Sequence, residues 1–500
     1  MDDPVDDVGV ARKEAGLGVR KFASDVAVRG LFQMLNALKG LLLLPLIAKL
    51  FGATGYGIWS QVTLTITLLA PLLTLRLDSA LVRYLGGFAD RRERASAFFG
   101  SAAVVWMMSL GIFALGLVAK DSIAQIMFAD PGLSAFSVLF VLFLVARGNL
   151  TFVLSYYRAK SAIRLYTVLQ TVQIVGEVAI LYGLSLLCSS DLADALLALI
   201  FVDGVLLIGM LGDIIRRDGF ALRIPWPAFK RLFRYSLPLI PAGAMYWVVN
   251  SSDRYVIVHF LGLDQAGVYS AAYRLAQILN LMLQPISFVL LPLVSTLWER
   301  GETERAHFYL SHSLFWFFVF AMPAAVGLIA IGPTLLKLLG TEEFVVGSSL
   351  VALLVSGELC VAIYQIYVYI IYLHEKTWIQ PILFAVLGVF NLGFNLLLVP
   401  LWGLMGAAAT TFVSYAGQLG FVYLYSRRLM VLSLPLYAMV KVTLGSGMAF
   451  ATTVLVPQHG VGGVVSKILV GAVVYAVFIW LTRAAPVGRL WQLVQGGKKG

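Results

Sequence analysis

Apolar runs of about 20 residues recur along almost the whole chain, and a bilayer leaves few other folds open to such a sequence. They lie at 30–51, 57–84, 97–119, 134–157, 165–187 and 193–215, then at 235–261, 267–297, 308–332, 346–373, 378–400, 403–426, 434–456 and 464–483. Backbone N–H and C=O groups in hydrocarbon must bond within their own segment, so each run is read as a helix. The expected fold is an all-α polytopic membrane protein with about 14 transmembrane helices. With 60% of 500 residues hydrophobic and 13% charged, the composition excludes an ordinary soluble domain.

The net charge of +11 follows the membrane rather than a nucleic acid, because the cations gather in short loops between the runs. With the N-terminus taken as cytoplasmic, inner connections carry Arg91, Arg92 and Arg94, then Arg158, Lys160 and Arg164, then Arg216, Arg217, Arg223, Lys230, Arg231 and Arg234. Arg300, Arg305, Lys376, Arg427, Arg428, Arg489, Lys498 and Lys499 continue the series. Outer connections hold Lys120 and Lys337 among Asp121, Asp130, Asp191, Asp194 and Asp264. Both termini are placed inside. Met1 to Arg29 mixes acids and bases without the basic-then-apolar order of a secretory signal and is read as a cytoplasmic tail.

The longest inner connection contains Pro225 and Pro227 and divides the chain. A first lobe of helices 1–6 spans 30–215, a basic cytoplasmic connector 216–234, and a second lobe of helices 7–12 spans 235–426. Two appended helices occupy 434–483, and a C-terminal cytoplasmic tail 484–500. Leu50-Phe-Gly52 with Gly57-Ile-Trp-Ser60 matches Phe260-Leu-Gly262 with Gly267-Val-Tyr-Ser270 at a constant offset. Both copies follow the first helix of a lobe, and parallel repeats of this kind are a transporter habit.

Charged and amide groups inside apolar runs are costly and normally face a bundle interior or a wet cavity. At helical spacing they form stripes: Arg76, Asp78 and Arg83; Arg147, Thr151 and Arg158; Gln170, Gln173 and Glu177; Tyr246, Asn250, Asp253 and Arg254. Further stripes are Arg274, Gln277 and Gln284; Glu358, Gln365, Tyr369 and Tyr372; and Asn391 with Asn395. Several have two readings. Arg76, Arg83 and Arg158 either line a cavity or snorkel to headgroups; Asp253 and Arg254 are either a site or a structural ion pair; Asn391 and Asn395 bond either substrate or a neighbouring helix. Lys39 and Glu177 fall nearer mid-span, where snorkelling is harder. Glu177 and Glu358 are candidates for a coupling proton or cation, or for carboxylates bonded between helices.

Catalytic and cofactor chemistry have little support. The loops are too short for a catalytic domain, there is no Walker A pattern, and His259, His307, His312, His374 and His459 are scattered without metal spacing. Cys188 and Cys360 are too far apart to suggest a disulfide framework. No cofactor, metal or nucleic-acid partner is expected. Pro45, Pro71, Pro285, Pro292 and Pro323 are expected to kink their helices.

Five segments resemble the polysaccharide exporters of the Wzx type, the O-antigen and exopolysaccharide flippases of the multidrug/oligosaccharidyl-lipid/polysaccharide (MOP) superfamily. They are Leu77-Asp-Ser-Ala-Leu-Val-Arg-Tyr84, Tyr235 to Pro241, Ser252-Asp-Arg-Tyr255, Gly262 to Arg274, and Asn395 to Ala408. The resemblance implies a pair of six-helix lobes that alternates between inward-open and outward-open states. It also implies movement of polyprenyl-diphosphate-linked oligosaccharides across the bacterial cytoplasmic (inner) membrane without ATP, coupled to a proton or sodium gradient. Implied partners are that lipid-linked substrate, membrane lipids, and the polymerase and chain-length proteins of polysaccharide synthesis. On this reading Lys39, Arg83, Arg147, Asn250, Asp253, Arg254, Arg274, Asn391 and Asn395 are cavity candidates, Glu177 and Glu358 are the candidates for coupling the ion, and the helices from Leu434 supply a groove for the polyprenyl tail. The rival readings are a MATE-like cation or drug antiporter, which calls for an acidic cavity; a membrane glycosyltransferase, polymerase or ligase acting on the same lipid, which calls for a sizeable outer loop; and a non-transporting scaffold.

Overall fold

The computed structural model describes residues 5–88, 90–186, 191–222, 226–457 and 460–484, leaving aside the side chains of 5–38 and 226–228. Cys188, Arg223, Pro225, His459 and the C-terminal tail from 485 lie outside the described residues, as do the first four residues of the N-terminal tail.

The regular secondary structure of the described residues is helical, without strands. In chain order the helices are α1 Val5–Leu73, α2 Leu77–Tyr84, α3 Arg91–Val118, α4 Lys120–Phe128, α5 Ser134–Ala159, α6 Ile163–Ser185, α7 Leu192–Asp218, α8 Trp226–Ser236 and α9 Leu239–Leu261. They continue as α10 Leu263–Ala276, α11 Ile278–Glu299, α12 Thr303–Leu339, α13 Ser348–Leu373, α14 Ile379–Trp402, α15 Leu404–Ser426, α16 Leu436–Leu455 and α17 Gly460–Thr482. Eleven of the described helical segments are long and apolar enough to cross a membrane. One of these, Lys39–Leu73, is two helices joined across Gly52, whose φ of 68° breaks the helical path.

The chain divides into two compact units, Met1–Leu46 with Gln61–Trp247, and Ile47–Ser60 with Val248–Gly500. The turn around Gly52 therefore groups with the second half of the sequence, a division different from the expected lobes at 30–215 and 235–426.

In the first unit, the run expected to be one helix over 57–84 ends at Leu73. Arg76 N–H bonds the Pro71 carbonyl and Leu75 N–H the Leu72 carbonyl, the paired bonds of a Schellman stop. That stop puts Leu75 and Arg76 in the left-handed region, at φ 50° and 56°, where a side chain costs about 1–2 kcal/mol. At the start of α7, Asp191 and Asp194 form a capping box, which satisfies N–H groups that the helix leaves orphaned. Between α8 and α9, Leu237 precedes Pro238, and the residue before a proline avoids helical backbone; the span expected over 235–261 accordingly begins at Leu239.

In the second unit the two copies of the repeat meet. A Cβ on Gly57 would run into the Leu263 carbonyl oxygen, and one on Gly267 into the Ala53 carbonyl oxygen. Ser60 Oγ donates to Ser270 Oγ at 2.7 Å. The three pairings are reciprocal under the sequence offset of 210 residues, so the repeat is a local two-fold contact as well as a pattern in the sequence. Gly403 (φ 58°) turns α14 into α15, and a Cβ on Gly406 would strike the Leu398 carbonyl, which accounts for the glycines in the segment Asn395 to Ala408.

The appended helices α16 and α17 pack on α12, where Phe315, Val319 and Val442 form a buried cluster flanked by Trp316, Tyr475 and Ile479. Pro323 has no N–H to give the carbonyl four residues back. That carbonyl belongs to Val319 and is taken instead by Tyr475 Oη at 2.6 Å.

Candidate functional site

A polar pocket of about 190 Å3 lies inside the first unit, lined by Lys39, Asp78, Arg147, Thr151, Arg158, Tyr166, Gln170 and Gln173 among others. Its wall carries three cations against one carboxylate. Four elements build it: α1 brings Lys39, α2 Asp78, α5 Arg147 and Arg158, and α6 the two glutamines. Behind the wall the charges are compensated. Glu177, 1% exposed, accepts from Lys39 Nζ and from Arg147 Nη2, the latter at 2.7 Å. Asp203, fully buried, accepts from Arg147 Nε at 2.6 Å and from Gln173 Nε2 at 3.0 Å.

Arg147 is thus held along two edges by carboxylates from α6 and α7, a bidentate use of the guanidinium fork that a lysine cannot reproduce. The Phe143 ring, 4.9 Å from Arg147 Cζ, supports it from one turn earlier in α5. Leaving either carboxylate unpaired at this depth would cost about 3–5 kcal/mol. Asp203 went unremarked in the sequence, although a lone aspartate within Leu196 to Met210 is the kind of signal that marks Glu177.

The second unit holds a separate network. Arg254 Nη1 donates to Asp253 Oδ1 at 2.7 Å and to the Asn250 carbonyl at 2.6 Å, and its guanidinium lies 3.9 Å from the Tyr273 ring centroid. Asp253 Oδ2 accepts from Tyr269 Oη at 2.9 Å and from Thr411 at 3.3 Å. Tyr415 Oη donates to Asn250 Oδ1 at 2.8 Å and lies 2.5 Å from Tyr273 Oη. Asp253 and Arg254 thus form an ion pair inside a hydrogen-bonded tyrosine cage. Asn391 and Asn395 bond protein as well: Asn391 Nδ2 donates to Ser414 Oγ at 3.0 Å, and Asn395 Nδ2 to the Asn391 side chain at 2.9 Å. Glu358, 2% exposed, accepts from Asn280 Nδ2, whose Oδ1 in turn accepts from Gln365 at 3.4 Å.

Of the cavity candidates, Lys39 and Arg147 meet in the first unit together with Glu177. Asn250, Asp253 and Arg254 meet in the second. Arg83 and Arg274 are exposed. Arg83 stacks on Tyr235 and Tyr84, 4.7 and 5.5 Å from their centroids, and Arg274 donates to Gln277 at 3.2 Å; neither enters the Lys39–Arg147 pocket. Among the described residues no group of three or more His, Cys, Asp or Glu side chains could hold a metal ion.

This helical architecture, with a charged pocket inside apolar helices, resembles in fold that of membrane transporters of known structure. The chain belongs to the polysaccharide biosynthesis protein family, whose model matches residues 22–298. Among curated proteins it is similar to the probable low-salt glycan biosynthesis flippase Agl15 of Haloferax volcanii, 23% identical over 193 residues, which is 38% of this chain and 41% of the relative. The chain therefore spans less than half the length of this relative. Among solved structures it is similar in fold to lipid II flippase MurJ in an inward closed conformation, with TM-score 0.72, 14% identity, 90% of this chain and 98% of that one. It is also similar to an inward-facing multidrug resistance MATE family transporter of the MOP superfamily, with TM-score 0.65, 15% identity, 79% of this chain and 94% of that one. The fold is that of the MOP superfamily.

Proposed function

We propose that the protein is a flippase, not an enzyme, that moves polyprenyl-diphosphate-linked oligosaccharide across a cytoplasmic membrane by alternating access, for O-antigen, exopolysaccharide or capsule synthesis. The observation that carries this reading is the pocket in which Lys39 and Arg147 face a cavity shared with Gln170 and Gln173. A diphosphate offers several acceptor oxygens to an ammonium and a guanidinium, while amides and hydroxyls suit sugar hydroxyls. The polyprenyl tail stays in the lipid. The family assignment and the flippase named among the relatives support the same substrate class.

The ion chemistry is assigned to Glu177. Its two cationic partners are the groups a phosphoryl ligand would engage, so anion docking on Lys39 and Arg147 leaves Glu177 to take a proton or sodium ion. Glu358 remains the corresponding candidate in the second unit. Polymerase and chain-length proteins would take the product on the far side of the membrane.

The test is transport of a fluorescent lipid-linked oligosaccharide in proteoliposomes with an imposed proton or sodium gradient. The wild type should render the sugar accessible on the opposite face, and Lys39→Gln, which leaves Glu177 its bond from Arg147, should abolish that while the protein still folds. In the native host, deletion should remove surface polysaccharide while lipid-linked units accumulate. Normal surface polysaccharide without a redundant flippase would sink the assignment.

A further inference from the structure

The second unit contains a cavity of about 1140 Å3 between α12, α16 and α17. Its walls are almost entirely apolar, with Trp316, Phe320, Phe450 and Trp480 among them. One residue does not fit that lining. Lys467 is on the wall, is only 5% exposed, and among the described residues makes no hydrogen bond, ion pair or ring contact.

A buried ammonium without an acceptor is costly. Lys467 lies seven residues into α17 from Gly460, about 10 Å along the helix axis, a depth from which a lysine reaches the phosphate level of one leaflet. The only other cation on the described wall is Arg483, sixteen residues on and roughly 24 Å away along the axis. A ligand seated at Lys467 therefore meets a single point charge. That matches a phosphodiester with one negative charge better than a diphosphate, which favours clustered or bidentate cations such as the Lys39–Arg147 pair.

We propose that the α12–α16–α17 groove is a binding site for one anionic phospholipid, with its phosphate on Lys467 Nζ and its chains along the aromatic and aliphatic wall. The ligand supplies the acceptor that Lys467 lacks among the described residues, and it fills apolar space that water would otherwise contact. The site is separate from the Lys39–Arg147 pocket and does not depend on the transport reading.

The experiment is native mass spectrometry of the full-length protein titrated with phosphatidylglycerol or phosphatidylcholine. It is paired with quenching of tryptophan fluorescence in nanodiscs by the same lipids carrying brominated chains, since Trp316 and Trp480 line the groove. One phosphatidylglycerol should be retained about fivefold more strongly than phosphatidylcholine. Lys467→Gln should erase the preference, Lys467→Arg should keep it, and Lys337→Gln, at an exposed pair with Glu342, should leave it unchanged. Should the Gln variant not be recovered, Ala472→Phe fills the groove without altering charge and should reduce retention as strongly. A preference that survives Lys467→Gln or Ala472→Phe overturns the proposal, as does a wild type that does not discriminate between the lipids. Displacement of the bound lipid by polyprenyl-diphosphate sugar, dependent on Lys467, would instead assign the groove to the transported molecule and equally overturn it.

Discussion

Arg147 gives its Nε to Asp203 and its Nη2 to Glu177, at 2.6 and 2.7 Å, so one guanidinium from α5 neutralises carboxylates from α6 and α7 at once. Both acids are buried, and the three helices are joined through this residue as well as through their apolar faces.

The stability consequence can be measured. Arg147→Ala leaves two buried carboxylates short of a partner and is expected to cost about 3–5 kcal/mol. Arg147→Lys recovers only part of it because one ammonium cannot span both acids. Thermal melts of the purified protein in detergent should rank wild type above Lys above Ala. An Ala variant that melts with the wild type would exclude the network as a stabilising element.

Glu177→Gln keeps the size of the side chain and removes its charge. If Glu177 couples the ion, transport in proteoliposomes should lose its dependence on the imposed gradient while substrate still binds, and Glu358→Gln provides the parallel measurement for the second unit. A gradient response unchanged in Glu177→Gln assigns coupling elsewhere.

Much of this is legible in the sequence. The helical class follows from the length of the apolar runs, and the repeat offset follows from paired glycines that permit close backbone approach. Lys39 and Glu177 stood out because charge at mid-span has few excuses. What the sequence could not deliver was partnership. Glu177 binds two cations from helices distant in the chain, and the fate of Arg83 as an exposed cation stacked on tyrosines depends on the Schellman stop at Leu75, which has no glycine to announce it. The grouping of Ile47–Ser60 with the second half is likewise a matter of packing. Local pattern does not encode it.

The glycine contact should report on itself through cysteine chemistry. Ser60→Cys with Ser270→Cys places two thiols where hydroxyl oxygens are 2.7 Å apart, and mild oxidant should cross-link them, seen as a mobility shift on denaturing gels. Gly57→Ala pushes a methyl group into the Leu263 carbonyl, an overpacking expected to cost about 1–3 kcal/mol, and should lower the yield. Equal yields with and without the added methyl would show that the backbones do not need to approach this closely.

A fourth prediction concerns Asp218 at the end of α7. It accepts from Tyr156 Oη at 2.6 Å and from Lys160 Nζ at 3.1 Å, with Arg94 Nε at 3.5 Å, gathering α3, α5 and α7. Tyr156→Phe removes one charge-assisted bond and should cost about 1.5–3 kcal/mol, whereas Asp218→Ala, which strands all three donors, should cost more. Equal melts for the two variants would contradict the shared role.

The bond from Tyr475 to the carbonyl that Pro323 leaves open bears on how the C-terminal hairpin relates to the rest of the chain. A chain cut before Leu436 would expose that carbonyl to hydrocarbon, together with the apolar side of α12 that Val442 now covers. The host helix carries a defect that only its guest repairs. The two final helices therefore cannot be shed as a detachable accessory: a chain shortened before them would need a different residue at position 323 or another donor in place of Tyr475.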